Sequence, residues 1–481
     1  MTDPTGLEQA RTKMTEAGVA PAAIETFTRF YHLLQSGASG MIREDDVDPL
    51  VDIPNRAELT IGDDEAAAAL AKTAMLKLNG GLGTSMGMDQ AKSLLPVRVA
   101  PASGAVSDAE PAGGSGEPEM LTFLDIIVGQ VRAARKATGA RLPLLFMNSF
   151  RTRDDTLAAL ERYPDLAVDS LPVDFLQNRE PKLLAQDLTP VTWEKDPELE
   201  WCPPGHGDLY PALHASGVVV ALLEAGFRYM CVSNSDNLGA TPDATIAGWF
   251  AASGAPYAAE LCRKTPADVK GGQLVIRKAD GQVVQRETAQ THPDDVAASL
   301  DATRHPFFHT NNLWFDLEAL AAELERTSGV LELPLIRNDK TVDPSDPSSP
   351  KVVQIESAMG AAVAVFEGAT AIEVERSRFL PVKTTNDLLV LRSDVYDLTP
   401  DYRLEAQALA PLVDLDKDHY KLIDAFTERF AAGAPSLRDA DSLTVRGDWT
   451  FGSGVRAEGK AQLTGDGGRV PDGATVGPEG F

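Results

Sequence analysis

Apolar residues recur at helical spacing from Leu7 to Gly18 and from Ala20 to Leu34, and residues 65–72 form an alanine-rich run. This pattern predicts a helical segment over residues 1–71. The character changes at Thr73. Ala74-Met75-Leu76-Lys77-Leu78 is a short apolar run of the kind that fills a buried strand. Leu121 to Thr138 has the period of an amphipathic helix, Leu142 to Met147 reads as a second strand, Tyr210 to Ala225 as a helix, and Phe227 to Val232 as a third strand. Strands separated by helices predict an α/β fold with a largely parallel sheet.

Two stretches break this rhythm. Residues 101–118 are rich in Ala, Gly, Ser and Pro and read as a flexible surface insertion. Thr341 to Pro350, with Pro344 and Pro347 between, reads as a rigid surface loop. Near the C-terminus Val445, Phe451, Ala457 and Leu463 lie six apart with glycines between them, and the pattern then slips to Val470 and Val476. A six-residue step suits the flat faces of a β-helix; a glycine-rich loop region is the other reading.

Composition narrows the function classes. Against 44 basic residues stand 71 acidic ones, a net charge of −27 spread along 481 residues, which opposes binding to nucleic acid or an anionic membrane. The N-terminus, Met1-Thr2-Asp3-Pro4, carries no secretory signal. No run approaches the roughly 18 apolar residues of a membrane span. Cys202, Cys231 and Cys262 form no Cys-x-x-Cys pair and read as small buried apolar residues. A cytoplasmic protein is expected.

The candidate chemistry collects where strands end. Lys77-Leu78-Asn79-Gly80-Gly81-Leu82-Gly83-Thr84-Ser85-Met86-Gly87 follows a strand and precedes a lone cation, Lys92. Such a turn presents backbone N–H groups to an anion. Its spacing is wrong for a Walker A loop, because Met88 follows Gly87, and wrong for a dinucleotide fingerprint, because Met86 stands where the third glycine belongs. Asn148-Ser149 and Asn234-Ser235-Asp236-Asn237 end the next two strands. Asp236 could hold a divalent cation beside phosphates or cap a turn.

Gly205-His206-Gly207-Asp208 precedes a helix and leaves His206 unobstructed for an anion, a loop histidine exposed to solvent being the other reading. Arg376, Arg378 and Lys383 surround a short apolar segment; a charged strand edge accounts for them, and Lys383 as a second point charge for phosphates is the alternative. His309-Thr310-Asn311-Asn312 supplies amides suited to sugar hydroxyls, a turn being the other reading, and Gln177 an amide suited to a base edge, an exposed glutamine being the commoner explanation. No nucleophile–base arrangement and no zinc-type histidine cluster emerges. The inventory favours phosphoryl or nucleotidyl transfer.

These stretches resemble the eukaryotic-type UTP–glucose-1-phosphate uridylyltransferases, or UDP-glucose pyrophosphorylases. LNGGLGTSMGMDQAKS (78–93), MNSFRTRDDT (147–156), PPGHGDLY (203–210), SNSDNLGAT (233–241), KGGQL (270–274), HTNNLWFDLEAL (309–320) and RSRFLPVKTTNDLLVL (376–391) keep the family's order. The resemblance implies a Rossmann-like catalytic domain with a mixed sheet over residues 72–395 and a left-handed β-helix over residues 396–481. It implies a Mg²⁺-dependent, reversible reaction of UTP with glucose 1-phosphate to UDP-glucose and pyrophosphate, with a homo-oligomer through the C-terminal domain left open. Carried over by position, Gly80, Gly81 and Gly83 lie along the nucleotide, and Gln177 and Gly207 hold the uracil. Lys92 meets the triphosphate, His206 and Lys383 contact phosphates at the reacting centre, and Asp236 binds Mg²⁺. Asn234, Gly272, Glu287 and Asn311 hold the glucose.

Overall fold

The computed structural model describes residues 5–481 except 39, 101–119, 266–267 and 269–270. The insertion expected at 101–118 lies outside the described residues. A seven-stranded sheet organises the molecule: β1 (Thr73–Asn79), β2 (Leu144–Asn148), β3 (Asp174–Leu176), β4 (Tyr229–Asn234), β5 (Tyr257–Arg263), β6 (Phe307–Asp316) and β7 (Thr370–Val374), in the order β7-β5-β6-β4-β1-β2-β3. The β4, β1, β2 and β3 strands run parallel. β6 is antiparallel to both of its neighbours, so the sheet is mixed. The carboxyl ends of β1, β2 and β4 therefore open on one edge, where polar loops can converge on a ligand.

Both faces of the sheet are covered. Helices Thr5–Glu16 and Pro21–Gln35 bury Phe27, Phe30, Tyr31 and Leu34 against the face carrying Leu76 and Val232. Helix Phe123–Thr138 buries Leu124, Ile127, Val128 and Val131 against the other. Each of those aliphatic side chains contributes about 2 kcal/mol when removed from water. That helix begins where Thr122 Oγ1 accepts from the Asp125 N–H while Asp125 Oδ2 accepts from the Thr122 N–H, and it ends on left-handed Gly139.

Some element boundaries differ from the sequence reading. Residues 120–122 form a short strand ahead of this helix. The helix expected over Tyr210 to Ala225 is two, Leu209–Ser216 and Val218–Glu224, because Gly217 takes a φ of +68° that ends the first. The second strand starts at Leu144, after Leu142 takes a φ of +40°. The proline-rich stretch connects the antiparallel strands Ile336–Thr341 and Lys351–Glu356.

The C-terminal part carries parallel ladders beside an antiparallel pair, Tyr396–Leu398 with Leu404–Ala406, and two short helices, Lys417–Tyr420 and Ile423–Arg429. Strands β8 (Leu412–Asp414), β9 (Ser436–Val445), β11 (Arg456–Leu463) and β13 (Thr475–Val476) stack in that order, and β10 (Asp448–Phe451) pairs with β12 (Gly467–Val470). Val445 lies beside Leu463 and Phe451 beside Val470. All six positions of the six-residue pattern, Val445, Phe451, Ala457, Leu463, Val470 and Val476, are buried. Their core is continuous with one face of the sheet. Among the described residues no helix is long and apolar enough to cross a membrane.

Candidate functional site

β1 ends in Asn79, whose Nδ2 donates to Asn148 Oδ1 (2.8 Å) at the end of β2 and to Thr156 Oγ1 (2.9 Å). These bonds fix the relative height of two strand ends, so the loops leaving them start from a rigid edge. The loop after β1 turns back at left-handed Gly83 and Gly87. It closes when the Lys92 N–H donates to the Gly81 carbonyl (3.0 Å). Gln177, just past β3, is anchored by its N–H on the Asn148 carbonyl (2.8 Å), and its amide lies directly over Gly80: a Cβ there would stand 2.3 Å from Gln177 Oε1. A Cβ on Gly81 would meet nothing within 4 Å, because that glycine faces open space.

That space is a cleft of about 280 Å³. It is lined by Gly80, Gly81, Lys92, Gln177, His206, Asn234 and Asp236, seven of the residues singled out in the sequence. A larger cavity of about 1100 Å³ lies between Met88, Val97, Leu389, Phe426 and Phe430, beside the C-terminal part, and is lined by none of these seven residues.

At the floor Lys92 Nζ donates to Asp236 Oδ2 (2.6 Å) and to the Val382 carbonyl. A cation and a carboxylate from loops 144 residues apart thus neutralise each other inside the cleft. His206 Nδ1 accepts from the Met359 N–H (3.0 Å). Its proton in the neutral ring is consequently on Nε2. Burial lowers its pKa to about 4, so it is an uncharged donor near neutral pH.

Gly83 and Gly207 do not line the cleft. Gly83 shapes the loop, its φ of +69° allowing its carbonyl to accept from the Met86 N–H (2.8 Å). Gly207 packs where any side chain would collide with Ser357, 2.1 Å from its Oγ, and its N–H donates to the Ser357 carbonyl (2.8 Å). Gly272, Glu287 and Asn311 form a second group. A Cβ on Gly272 would stand 2.7 Å from Glu287 Oε1, and the Gly272 carbonyl accepts from the His309 N–H (2.9 Å). Lys383 connects the groups: its Nζ sits 5.7 Å from the Phe308 ring centroid, its carbonyl accepts from Ser85 Oγ (3.5 Å), and its charge stabilises the Glu287 carboxylate. Burial nonetheless raises the Glu287 pKa.

The strand-edge reading of Arg376 and Arg378 is overturned. Both lie in a 3-10 turn. Arg376 pairs with Asp268 (2.6 Å), and buried Arg378 grips Glu260 through Nε–Oε2 and Nη2–Oε1, each 2.7 Å. The Arg378 carbonyl accepts from Asn237 Nδ2 (3.1 Å), while Asn237 Oδ1 accepts from the Leu380 N–H (2.8 Å). These bonds lock the segment carrying Lys383 to the loop carrying Asp236.

Asp208 stood in the sequence only as the last residue before a helix. It accepts from the Asn178 N–H (2.5 Å) and Nδ2 (2.9 Å) and so ties the Gln177 loop to the Gly207 loop. Burial pushes its pKa up to about 7. Between its unfolded value, near 4, and this value the folded chain binds the extra proton, so stability falls as pH rises through that window. Asp208→Asn should therefore show a shallower decline of melting temperature between pH 5 and pH 8 than the wild type. Parallel melting profiles of the two proteins would contradict that role.

Residues 24–457 match the family model described as UTP–glucose-1-phosphate uridylyltransferase. A protein of that name from Solanum tuberosum is 39% identical over 421 residues, covering 86% of this chain and 81% of the relative. One from Saccharomyces cerevisiae is 38% identical over 399 residues, covering 82% and 74%. Among solved structures, a mutant UDP-glucose pyrophosphorylase from Leishmania major in complex with UDP-glucose superposes with a TM-score of 0.88 at 38% identity, covering 99% of each chain. A UDP-glucose phosphorylase from Trypanosoma brucei superposes at 0.87 with 38% identity, covering 98% and 99%.

Proposed function

This chain belongs to the UTP–glucose-1-phosphate uridylyltransferase family, and from that premise we propose that the cleft between Gly80, Lys92, Gln177, His206, Asn234 and Asp236 is where it joins UTP and glucose 1-phosphate into UDP-glucose and pyrophosphate, reversibly and with Mg²⁺. The observation that carries the reading is the convergence of these residues at the carboxyl edge of parallel strands.

The attacking atom is an oxygen of the glucose 1-phosphate phosphate, already anionic near neutral pH. It forms a bond to the α-phosphorus of UTP as the α–β anhydride breaks, and pyrophosphate leaves with the electron pair. No proton has to move, and the absence of a nucleophile–base pair among the cleft residues accords with that. One anhydride replaces another, which makes the reaction reversible. Gly80 and Gly81 let the nucleotide approach the backbone, and the Gln177 amide meets the uracil edge. Lys92 and Lys383 lower the charge repulsion, and neutral His206 donates from Nε2 to a phosphate oxygen.

Among the described residues no group of three His, Cys, Asp or Glu could hold a metal. A single carboxylate nonetheless fits Mg²⁺, which takes one or two protein carboxylates and completes its shell with substrate oxygens. Asp236 would hold it, and the ion would supply further neutralisation of phosphate charge. We extend the proposal to the C-terminal ladders, read as a left-handed β-helix whose outer coil could join two copies, and to the cytoplasm, which suits three buried free cysteines.

Pyrophosphate release measured with UTP, glucose 1-phosphate and Mg²⁺, each omitted in turn, tests the reading; release without the sugar phosphate, or none with all three, would refute it. Gly80→Ala should push the Gln177 amide aside and raise the KM for UTP about tenfold, the cost of roughly one hydrogen bond, with kcat less affected. Gln177→Ala should reproduce that effect, and the double variant should add little to either. Fully additive losses would separate the two residues.

A further inference from the structure

β6 is interrupted where the sugar-side residues sit. Its ladder with β5 pairs Ala259 with Leu313 and Leu261 with His309, so residues 310–312 bulge opposite Glu260 alone. At the crest Asn311 takes a φ of +59°, the left-handed region that side chains seldom occupy. His309 holds this crest. Its Nδ1 accepts from the Asn311 N–H (3.0 Å), and its own N–H donates to the Gly272 carbonyl (2.9 Å). One residue thus fixes both Asn311 and Gly272.

The His309 ring is 2% exposed, and with Nδ1 accepting, the proton is on Nε2. Among the described residues that nitrogen has no hydrogen-bond partner, and it lies 2.9 Å from where a Cβ on Gly360 would stand. Gln285 flanks the same glycine and donates through Nε2 to Glu287 Oε1. Three of the four residues assigned to the glucose moiety, Gly272, Glu287 and Asn311, therefore share one support built around Gly360.

We propose that His309 is a positioning residue for sugar binding: its Nδ1 pins the left-handed turn that presents the Asn311 amide to glucose 1-phosphate. The inference rests on the sugar-side assignment made above. Burial holds the His309 pKa down at about 3, so the ring keeps its acceptor throughout the working pH range.

Substitutions that differ only in where an acceptor stands provide the test. Asparagine places its Oδ1 close to the position of Nδ1; glutamine carries its Oε1 farther out, toward Nε2; leucine has none. His309→Leu and His309→Gln should each raise the KM for glucose 1-phosphate about tenfold, as expected for an unpaired buried N–H, with the KM for UTP changed by less than about twofold. His309→Asn should recover most of the lost affinity. If His309→Asn is no better than His309→Gln, or if both Michaelis constants rise together, the positioning role is wrong. Asn311→Ala is the control on the premise. An unchanged KM for glucose 1-phosphate there overturns the sugar-side assignment, whereas a raised one beside an unaffected His309→Leu overturns only the role of His309. Melting curves on each variant keep loss of fold apart from loss of binding.

Discussion

Lys92→Ala should cut turnover about a thousandfold while leaving the chain folded. Lys92 Nζ is only partly exposed and points from the glycine loop onto Asp236, in the cleft where a triphosphate would lie. A cation roughly 4 Å from one phosphate charge is worth about 4 kcal/mol at an effective dielectric of about 20. If that attraction is stronger in the transition state than in the bound substrate, its loss slows the reaction by about three powers of ten. The fold depends on the residue far less, since the ion pair is part-exposed and such pairs contribute about 1 kcal/mol or less. Single-turnover pyrophosphate release and a urea melt measure the two effects separately. Turnover within tenfold of wild type would remove Lys92 from the transition state. Lys92→Arg should recover part of the rate, because charge is restored but not the compact point donor.

Arg378→Met should destabilise the chain by about 3–5 kcal/mol, because it leaves the Glu260 carboxylate buried without its counter-charge. Glu260 is wholly buried, held by two Arg378 bonds and one each from Trp314 Nε1 (2.9 Å) and Asn312 Nδ2 (2.9 Å). The two neutral donors cannot offset a full charge out of water. The loss should also reach the site, since the Arg378 side chain holds in place the backbone whose carbonyl accepts from Asn237 Nδ2 and whose segment leads to Lys383. Chemical denaturation gives the number. A cost below about 1 kcal/mol would mean that Glu260 is protonated or reached by water. Arg378→Met combined with Glu260→Gln should be markedly more stable than Arg378→Met alone, because no unpaired charge remains.

Much of the fold was legible along the chain. The apolar run before Gly80 is β1, and the helix from Phe123 keeps its helical period and adds a capping box at its start. The six-residue spacing from Val445 to Leu463 marks buried positions of the C-terminal ladders. These are local signals, since period and turn chemistry are set by neighbours within one or two turns of chain. The misreadings are local signals overruled by distant partners. Arg378 looked like surface charge because its partner, Glu260, lies 118 residues earlier. Asp208 was given no role because its partner, Asn178, comes from another loop.

The amino-acid order by itself determined which residues could serve a nucleotide: a glycine loop with spacing unlike other phosphate loops, the cation Lys92, the carboxylate Asp236, and the amides of Gln177 and Asn311. Only the tertiary structure decided how they act together. It set Lys92 against Asp236, laid Gln177 over Gly80, tied the Nδ1 of His206 to Met359 and balanced Asn311 on the ring of His309. The reason is physical. A side chain's chemistry belongs to its residue type, but its charge state, tautomer and direction depend on what lies within a few ångströms, and those neighbours are brought from far along the chain by the packing of the sheet.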